Sequence, residues 1–397
     1  MWKTVKLGDV CDLQNGFAFK SSLFREKGLP ILRISNIQNE EVSLEKLTYF
    51  VEKDYGISFE RYKVLPNDLL IAMSGATTGK LGFNQSGRTL YLNQRVGKFE
   101  PKSGLDKKYL YYVLSTKVEE NLSISKGAAQ PNLSAQQIKD IKFPLPPLAE
   151  QQRIVAKLDA AFAEIHRFES VIKGKLSGFD ALRLKTYQAI IKKHCSEQRQ
   201  CKLSELVDES CSLSYGIVQP GDEFADGLPV VRPVDLKSKW IGEIDLKRVA
   251  HERAESYQRT KLSGGEVLLC VRGSTGVVSL ASDELIGGNV TRGIIPIRFA
   301  DVVNNEYGYY ALQSEGAQKQ ITDKTYGATL QQINVKDVKN LVIDVPKIEE
   351  QLNAVAEIIK ADDYLNELKS STQRQLENAK QLKSAILAQE LQPQEVA

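Results

Sequence analysis

The chain says the same thing twice. Pro144-Leu-Pro-Pro-Leu-Ala-Glu-Gln-Gln-Arg-Ile154 is echoed by Pro346-Lys-Ile-Glu-Glu-Gln351, which sets Glu150-Gln151 and Glu350-Gln351 200 positions apart. Pro30-Ile-Leu-Arg33 is matched by Pro229-Val-Val-Arg232, and Asp68-Leu-Leu-Ile-Ala-Met-Ser-Gly75 by Glu266-Val-Leu-Leu-Cys-Val-Arg-Gly273. Tyr109-Leu-Tyr-Tyr-Val-Leu114 is matched by Tyr307-Gly-Tyr-Tyr-Ala-Leu312, and Gly127-Ala128 by Gly327-Ala328. Solenoid units run about 20–50 residues, so a period of this length is a duplicated domain with its own helix. Two similar heads on two similar arms suit a chain that grips a two-part target.

Each half changes texture in the same way. Residues 1–146 carry short apolar runs (Leu29–Ile34, Leu69–Met73, Tyr91–Phe99, Ile138–Phe143) punctuated by Gly and Pro, which read as strands and turns. Residues 196–345 repeat this mixture, so two α+β lobes are expected. Between and after them, 147–195 and 346–397 read as spacer helices, with the strongest periodicity over 147–193 and 347–391. In the first, Ile154, Leu158, Ala161, Ile165, Phe168, Ile172, Leu176 and Phe179 recur at steps of three and four. In the second, Ile348, Leu352, Val355, Ile359, Leu365, Leu368, Leu376, Ala379, Leu382 and Ile386 form a comparable series. Such near-heptad stripes suit coiled-coil packing. At 1.5 Å per residue, the first helix would extend about 70 Å.

The expected architecture is therefore two similar lobes joined by two long antiparallel helices in a coiled coil, an internal repeat with approximate two-fold symmetry. Ile154, Leu158, Ile165, Leu352, Val355 and Leu365 are the residues expected to be buried in the helix pairing. The alternative is that each helix packs on its own lobe. Gly174 and Gly178 count against an unbroken first helix.

Composition excludes several classes. A chain of 397 residues with net charge +3 fits an ordinary globular protein of two or three domains. The cysteines (Cys11, Cys195, Cys201, Cys211, Cys270) are odd in number and include no C-x-x-C, which argues against a disulfide framework or a zinc site and for a reducing cytoplasm. No apolar run approaches the ~18 residues of a membrane helix. The opening Met-Trp-Lys-Thr-Val-Lys lacks the apolar stretch of a signal peptide.

Catalytic signatures are missing. His166, His194 and His251 are scattered, with no metal-ligand spacing. Gly75-Ala-Thr-Thr-Gly-Lys80 has three residues between its glycines where a phosphate loop needs four, and Leu81 follows the Lys. Its mate Gly273-Ser-Thr-Gly276 ends in Val277, so both read as turns. No G-x-S-x-G elbow with triad partners is present. The chain is expected to have no catalytic residues, no metal and no cofactor of its own.

Polar residues at four matched loops point to recognition instead. Arg33 and Asn36 face Arg232 in the repeat; Ser74, Thr77, Thr78 and Lys80 face Arg272, Ser274 and Thr275; Gln94 and Arg95 face Arg292; Lys126 and Gln130 face Lys324, Tyr326, Gln331 and Gln332. Arg, Asn and Gln make paired contacts with base edges, while Lys, Ser, Thr and backbone N–H groups hold phosphates. Taken singly, each is better read as a solvated loop or turn residue; four matched sets are harder to dismiss. Since Arg33 and Arg232 are shared, they are expected to anchor phosphates, and the unmatched residues to read bases.

At this point the chain resembles the specificity subunit of type I DNA restriction–modification enzymes. The residues that carry the likeness are Pro144-Leu-Pro-Pro-Leu-Ala-Glu-Gln-Gln-Arg-Ile154, its echo Pro346-Lys-Ile-Glu-Glu-Gln351, and Met73-Ser-Gly-Ala-Thr-Thr-Gly79. The second copy departs from the pattern, Asp344-Val-Pro-Lys347 standing where the first has Pro144-Leu-Pro-Pro147. The resemblance implies that each lobe is a target recognition domain for one half of a split double-stranded DNA sequence. It implies that the helices space the lobes and dock two methyltransferase subunits, which carry S-adenosylmethionine. It also implies restriction subunits that bring ATP and Mg. An enzyme carrying its own methyltransferase motifs, and a coiled-coil protein-interaction scaffold without DNA specificity, are the competing readings.

Overall fold

The computed structural model describes residues 2–38, 40–124, 132–197 and 199–392. Two compact units emerge: Met1–Val171 with Leu376–Ala397, and Ile172–Gln375. Each takes one lobe and a part of both long helices.

In the first unit the run Leu69–Ala72 is buried at every position. A strand buried on both faces reads as a continuous apolar run rather than an alternating one. It sits inside a six-stranded sheet of order Cys11–Asn15, Val96–Pro101, Leu69–Ala72, Leu81–Phe83, Glu40–Val42, Ile37–Gln38. A four-stranded sheet (Thr48–Phe50, Leu29–Leu32, Leu90–Leu92, Lys63–Val64) stands beside it in the lobe, with Tyr91 paired parallel to Ile31. Phe19, Phe50, Phe59 and Tyr91 form an aromatic cluster on this sheet.

The second unit reproduces the plan with fewer strands. Val267–Cys270, again buried throughout, lies between Val278–Ala281 and Ile294–Ile297, with Trp240–Ile241 at the edge. A three-stranded sheet (Lys247–Val249, Leu228–Val231, Asn289–Val290) keeps the parallel pairing, here Val230 with Asn289. In both units a two-stranded ribbon leads into a long helix: Lys3–Lys6 with Lys142–Leu145, and Gln200–Lys202 with Val342–Asp344.

The long helices are Leu148–His194 and Ile348–Glu390. Gly174 and Gly178 do not break the first: a Cβ at either would meet nothing within 4 Å, so both lie on an open face. Pro146 and Pro147 end the strand and leave Glu150 in the first turn, where its charge suits the helix dipole. Arg153 donates twice to Glu150 (both 2.8 Å) and holds its carboxyl below the ordinary range.

The repeated Gln of this motif is buried, at 0% exposure in both copies. Gln151 Nε2 donates to the carbonyls of Gly104 and Pro146 (both 2.8 Å), and its Oε1 accepts from Asp106 N–H (2.8 Å). Gln351 does the same with Val302, Pro346 and Asn304 N–H (2.9, 2.8 and 2.8 Å). One side chain thus satisfies backbone groups at a helix start and in the preceding loop, among them the carbonyl of a buried proline that would otherwise go unpaired. A tyrosine completes the joint. Tyr109 Oη donates to the Pro144 carbonyl (2.7 Å) and Tyr307 Oη to the Asp344 carbonyl (2.6 Å). Burial pushes both phenols well above their usual range.

The two helices run antiparallel within each unit. In the first, Lys157 pairs with Glu390 (2.6 Å) and His166 lies 3.2 Å from Lys383. In the second, Asp180 pairs with Lys369 (3.3 Å), Tyr187 Oη donates to Asp362 (2.6 Å), and Lys193 reaches Glu357 (2.8 Å). As one partner's number rises the other's falls. The helices do not choose between each other and the lobes. Ile154, Leu158, Phe162 and Ile165 share one core with the first lobe and with Ala379 and Leu387 of the other helix. Tyr187, Ile190 and Ile191 share a second core with Ala354, Val355, Ile358 and the second lobe. Each such buried aliphatic side chain contributes about 1.5–3 kcal/mol.

The expectation for Leu352 fails. It is 50% exposed, whereas Val355 and Leu365 are buried. Buried Gln351 sets the phase: steps of three, four and seven from it reach Ala354, Val355 and Ile358, and Leu352 lies about 100° away round the helix. Phe168, at 46% exposure, drops out of the first stripe as well.

Candidate nucleic-acid interface

In the first lobe, backbone hydrogen bonds tie the expected loops together. The strand Leu69–Ala72 leads into the turn at Ser74–Lys80. Met73 N–H donates to the Arg95 carbonyl (2.9 Å), and Leu133 N–H to the Met73 carbonyl (2.8 Å). Ser74 and Asn132 form an antiparallel bridge. Thr77 Oγ1 donates to the Ile34 carbonyl (3.2 Å), which joins the loop after Arg33 to the same group. Met73, Ser74, Gly75, Gln94, Arg95, Asn132, Leu133 and Ser134 line one open concavity.

The second lobe holds the same network with other side chains. Val271 N–H donates to the Gly293 carbonyl (2.8 Å) and Ile333 N–H to the Val271 carbonyl (3.0 Å). Arg272 bridges Gln332, and Gln332 also bridges Tyr326. The glycines repeat because the turn requires left-handed backbone, Gly75 and Gly79 at φ 84° and 86°, Gly273 and Gly276 at 88° and 92°. No phosphate cradle is needed to explain them.

The backbone gives the third loop a one-to-one register. Gln94 N–H donates to the Phe17 carbonyl, and Arg292 N–H to the Ile217 carbonyl (both 2.9 Å), so Gln94 corresponds to Arg292 and Arg95 to Gly293. The partner segments, Gly16-Phe17 and Gly216-Ile217, were not singled out from sequence. An added Cβ would fall 2.2 Å from the Asn93 carbonyl oxygen at Gly16 and 1.9 Å from that of Val290 at Gly216. The shared Gly-apolar pair was the available signal.

Charge is presented unevenly. Lys80, Arg95, Arg272, Arg292 and Lys324 make no side-chain hydrogen bond or ion pair among the described residues, and Lys80, Arg95 and Arg292 are exposed. Lys80 borders a second open depression with Gln38, Glu41 and Ser43. Arg33 donates to Thr48 Oγ1 (3.4 Å) and lies 6.0 Å from the Phe24 ring, with no carboxylate partner among the described residues. Arg232 is clamped by Asp235, its Nε and guanidinium nitrogen donating at 3.0 and 2.9 Å, an ion pair that raises its pKa.

Asn36 leaves the set of surface candidates. It is 2% exposed, accepts from Arg33 N–H (3.0 Å) and donates to the carbonyls of Ser43 and Glu45 (both 3.2 Å). These three side-chain bonds are all internal, and they use the amide oxygen and both amide hydrogens. Thr78 Oγ1 donates to the Gly75 carbonyl (2.6 Å), and Tyr326 Oη to Asn334 Oδ1 (2.6 Å). Ser74 Oγ and Thr275 Oγ1 are buried hydroxyls without a partner in the two equivalent turns. Ser274 and Gln331 are exposed. Lys126 and Gln130 lie outside the described residues. Among the described residues, no group of three or more His, Cys, Asp and Glu could hold a metal ion, and no helix is long and apolar enough to cross a membrane.

The family description "Type I restriction modification DNA specificity domain" matches residues 1–173 and again 221–378. The chain is 27% identical to the type I restriction enzyme EcoBI specificity subunit of Escherichia coli, over 98% of this chain and 85% of that one. Its fold is similar to a solved chain from work on complex assembly and conformational transition of the type I R-M system, with TM-score 0.71, 18% identity and coverage of 98% and 97%. It is also similar to the HsdS subunit of Thermoanaerobacter tengcongensis, with TM-score 0.54, 18% identity and coverage of 98% and 96%.

Proposed function

We infer the function from one premise: the chain belongs to the type I restriction modification DNA specificity family. It is a DNA specificity subunit with two recognition domains. Each lobe reads one half of a bipartite double-stranded target, and the lobes can differ in what they read. The observation that carries this is the loop network: the same backbone hydrogen bonds in both lobes present different polar side chains on an open surface. A rigid frame with variable ends is what base discrimination needs.

The chain does no chemistry itself and works in the cytoplasm. Two methyltransferase subunits seat on it and carry S-adenosylmethionine and the catalytic residues; restriction subunits supply ATP- and Mg-dependent cleavage. This chain holds no cofactor. A scaffold without DNA specificity would not need partner-free cations on matched loops of both lobes.

The test is to assemble the chain with a methyltransferase subunit and bind the complex to a library of duplexes. A bipartite preference, with methyl transfer only in the assembled complex, is expected. A flat preference across sequences would favour the scaffold, and methyl transfer by the chain alone would make it an enzyme.

A further inference from the structure

Gln94 and Arg292 occupy one position in two lobes, on backbone held from three sides. The residue before each donates its N–H to a neighbouring strand, Asn93 to Leu32 (3.1 Å) and Thr291 to Val231 (2.9 Å). The residue itself donates to Phe17 or Ile217 (2.9 Å each). The carbonyl after it accepts from Met73 or Val271 (2.9 and 2.8 Å). Both side chains are exposed, and neither makes a hydrogen bond or ion pair among the described residues. Position is fixed; only the end group differs.

The neighbours do not share this equivalence. Arg95 faces Gly293, where a Cβ would stand 2.4 Å from Pro233 Cγ, so the second lobe has no room for a side chain there. Arg33 and Arg232 are the same residue in both lobes and cannot by themselves make two half-sites differ.

We propose that Gln94 and Arg292 are the corresponding base-reading residues of the two lobes, Gln94 reading an adenine in one half-site and Arg292 a guanine in the other. The chemistry follows from the end groups. A carboxamide offers one acceptor and one donor, which match N6 and N7 of adenine; a guanidinium offers two parallel donors, which match O6 and N7 of guanine. The proposal rests on the DNA-reading function above and deepens it.

The experiment uses the full chain assembled with its methyltransferase partner. Wild type, Arg292→Gln, Gln94→Arg and Gln94→Ala are bound to duplexes substituted one base pair at a time, at two salt concentrations. Arg292→Gln is expected to lose a guanine preference of roughly tenfold or more at one base pair of one half-site, in favour of adenine, with the other half-site unchanged. Gln94→Arg is expected to do the converse in the other half-site, and Gln94→Ala to flatten preference at that same base pair. Both side chains are exposed, so unfolding midpoints should match wild type. Uniform weakening on all sequences, with the salt slope reduced by roughly one, would make the residue a phosphate anchor and overturn the proposal. Unchanged preference at every position would also overturn it. A wild-type complex with no sequence preference would overturn the function itself, a failure distinct from either.

Discussion

In the first lobe the Arg33 N–H donates to an amide oxygen, that of Asn36 (3.0 Å); in the second the Arg232 N–H donates to a carboxylate oxygen, that of Asp235 (2.8 Å). The backbone arrangement is the same. The one-atom change from amide to carboxylate alters what happens to the guanidinium. Asp235 also takes the Arg232 side chain, while Asn36 turns its NH2 inward and leaves Arg33 with a long contact to Thr48 and the Phe24 ring. A duplicated scaffold has thus kept an arginine and retuned its charge through a neighbour. Arg33 keeps its positive charge without a carboxylate partner among the described residues; Arg232 forms a neutralised pair. The two arginines expected from sequence to share an anchoring role thus differ in structure, Arg232 being ion-paired and Arg33 not among the described residues.

The largest expected effect tests what the lobes have in common. Gln151→Leu and Gln351→Leu each remove the partner of two carbonyls, one of them on a buried proline, and of one N–H at a helix start. Each should lower unfolding free energy by about 3 kcal/mol, measured by denaturant titration. Similar losses in both lobes support one construction used twice; a loss in only one would break the equivalence.

A smaller effect sharpens the difference. Arg33→Ala should reduce the salt slope of duplex binding by roughly one, and Arg232→Ala by clearly less. Asp235→Asn copies the first lobe's chemistry into the second and frees Arg232. The salt slope should then steepen by roughly one, read by anisotropy across a salt series. Equal slopes for Arg33→Ala and Arg232→Ala would show that the ion pair does not matter.

The smallest effect is on acid stability in the second unit. Lys193 and His194 donate to Glu357 (2.8 and 2.7 Å), and this holds its carboxyl below 4.5, the ordinary value. A depressed carboxylate contributes stability that is present above pH 4.5 and lost as pH falls through the lower folded value. The pair is partly exposed, so its worth is below about 1 kcal/mol. Glu357→Gln should lower the melting temperature slightly near neutrality and narrow the gap to wild type below pH 4. A gap that widens in acid would contradict this.

Much of this was legible in the chain. Repeated motifs, strand-like apolar runs and helical stripes give two α+β lobes and two long helices, because periodicity follows directly from burial. The helix phase was less legible. Gln151 and Gln351 stand out in sequence only as repeat matches, yet both are fully buried, and Leu352 lies on another face of the helix. A polar side chain can be core when backbone groups saturate it, and sequence does not show where those groups are. The register of the third loop was not legible for a similar reason. Arg95 and Arg292 align by type, but hydrogen bonds from Met73 and Val271 align Arg95 with Gly293. Asn36 was chosen for its chemistry, which it spends internally.

Separate reading by the two lobes is the core of the proposed function. Its most direct test is to exchange residues 1–146 for the first lobe of another family member, assemble the chimera with methyltransferase, and sequence the methylated positions. One half of the bipartite target should change and the other should stay as it was. If both halves change together, the lobes do not read independently and the account is wrong.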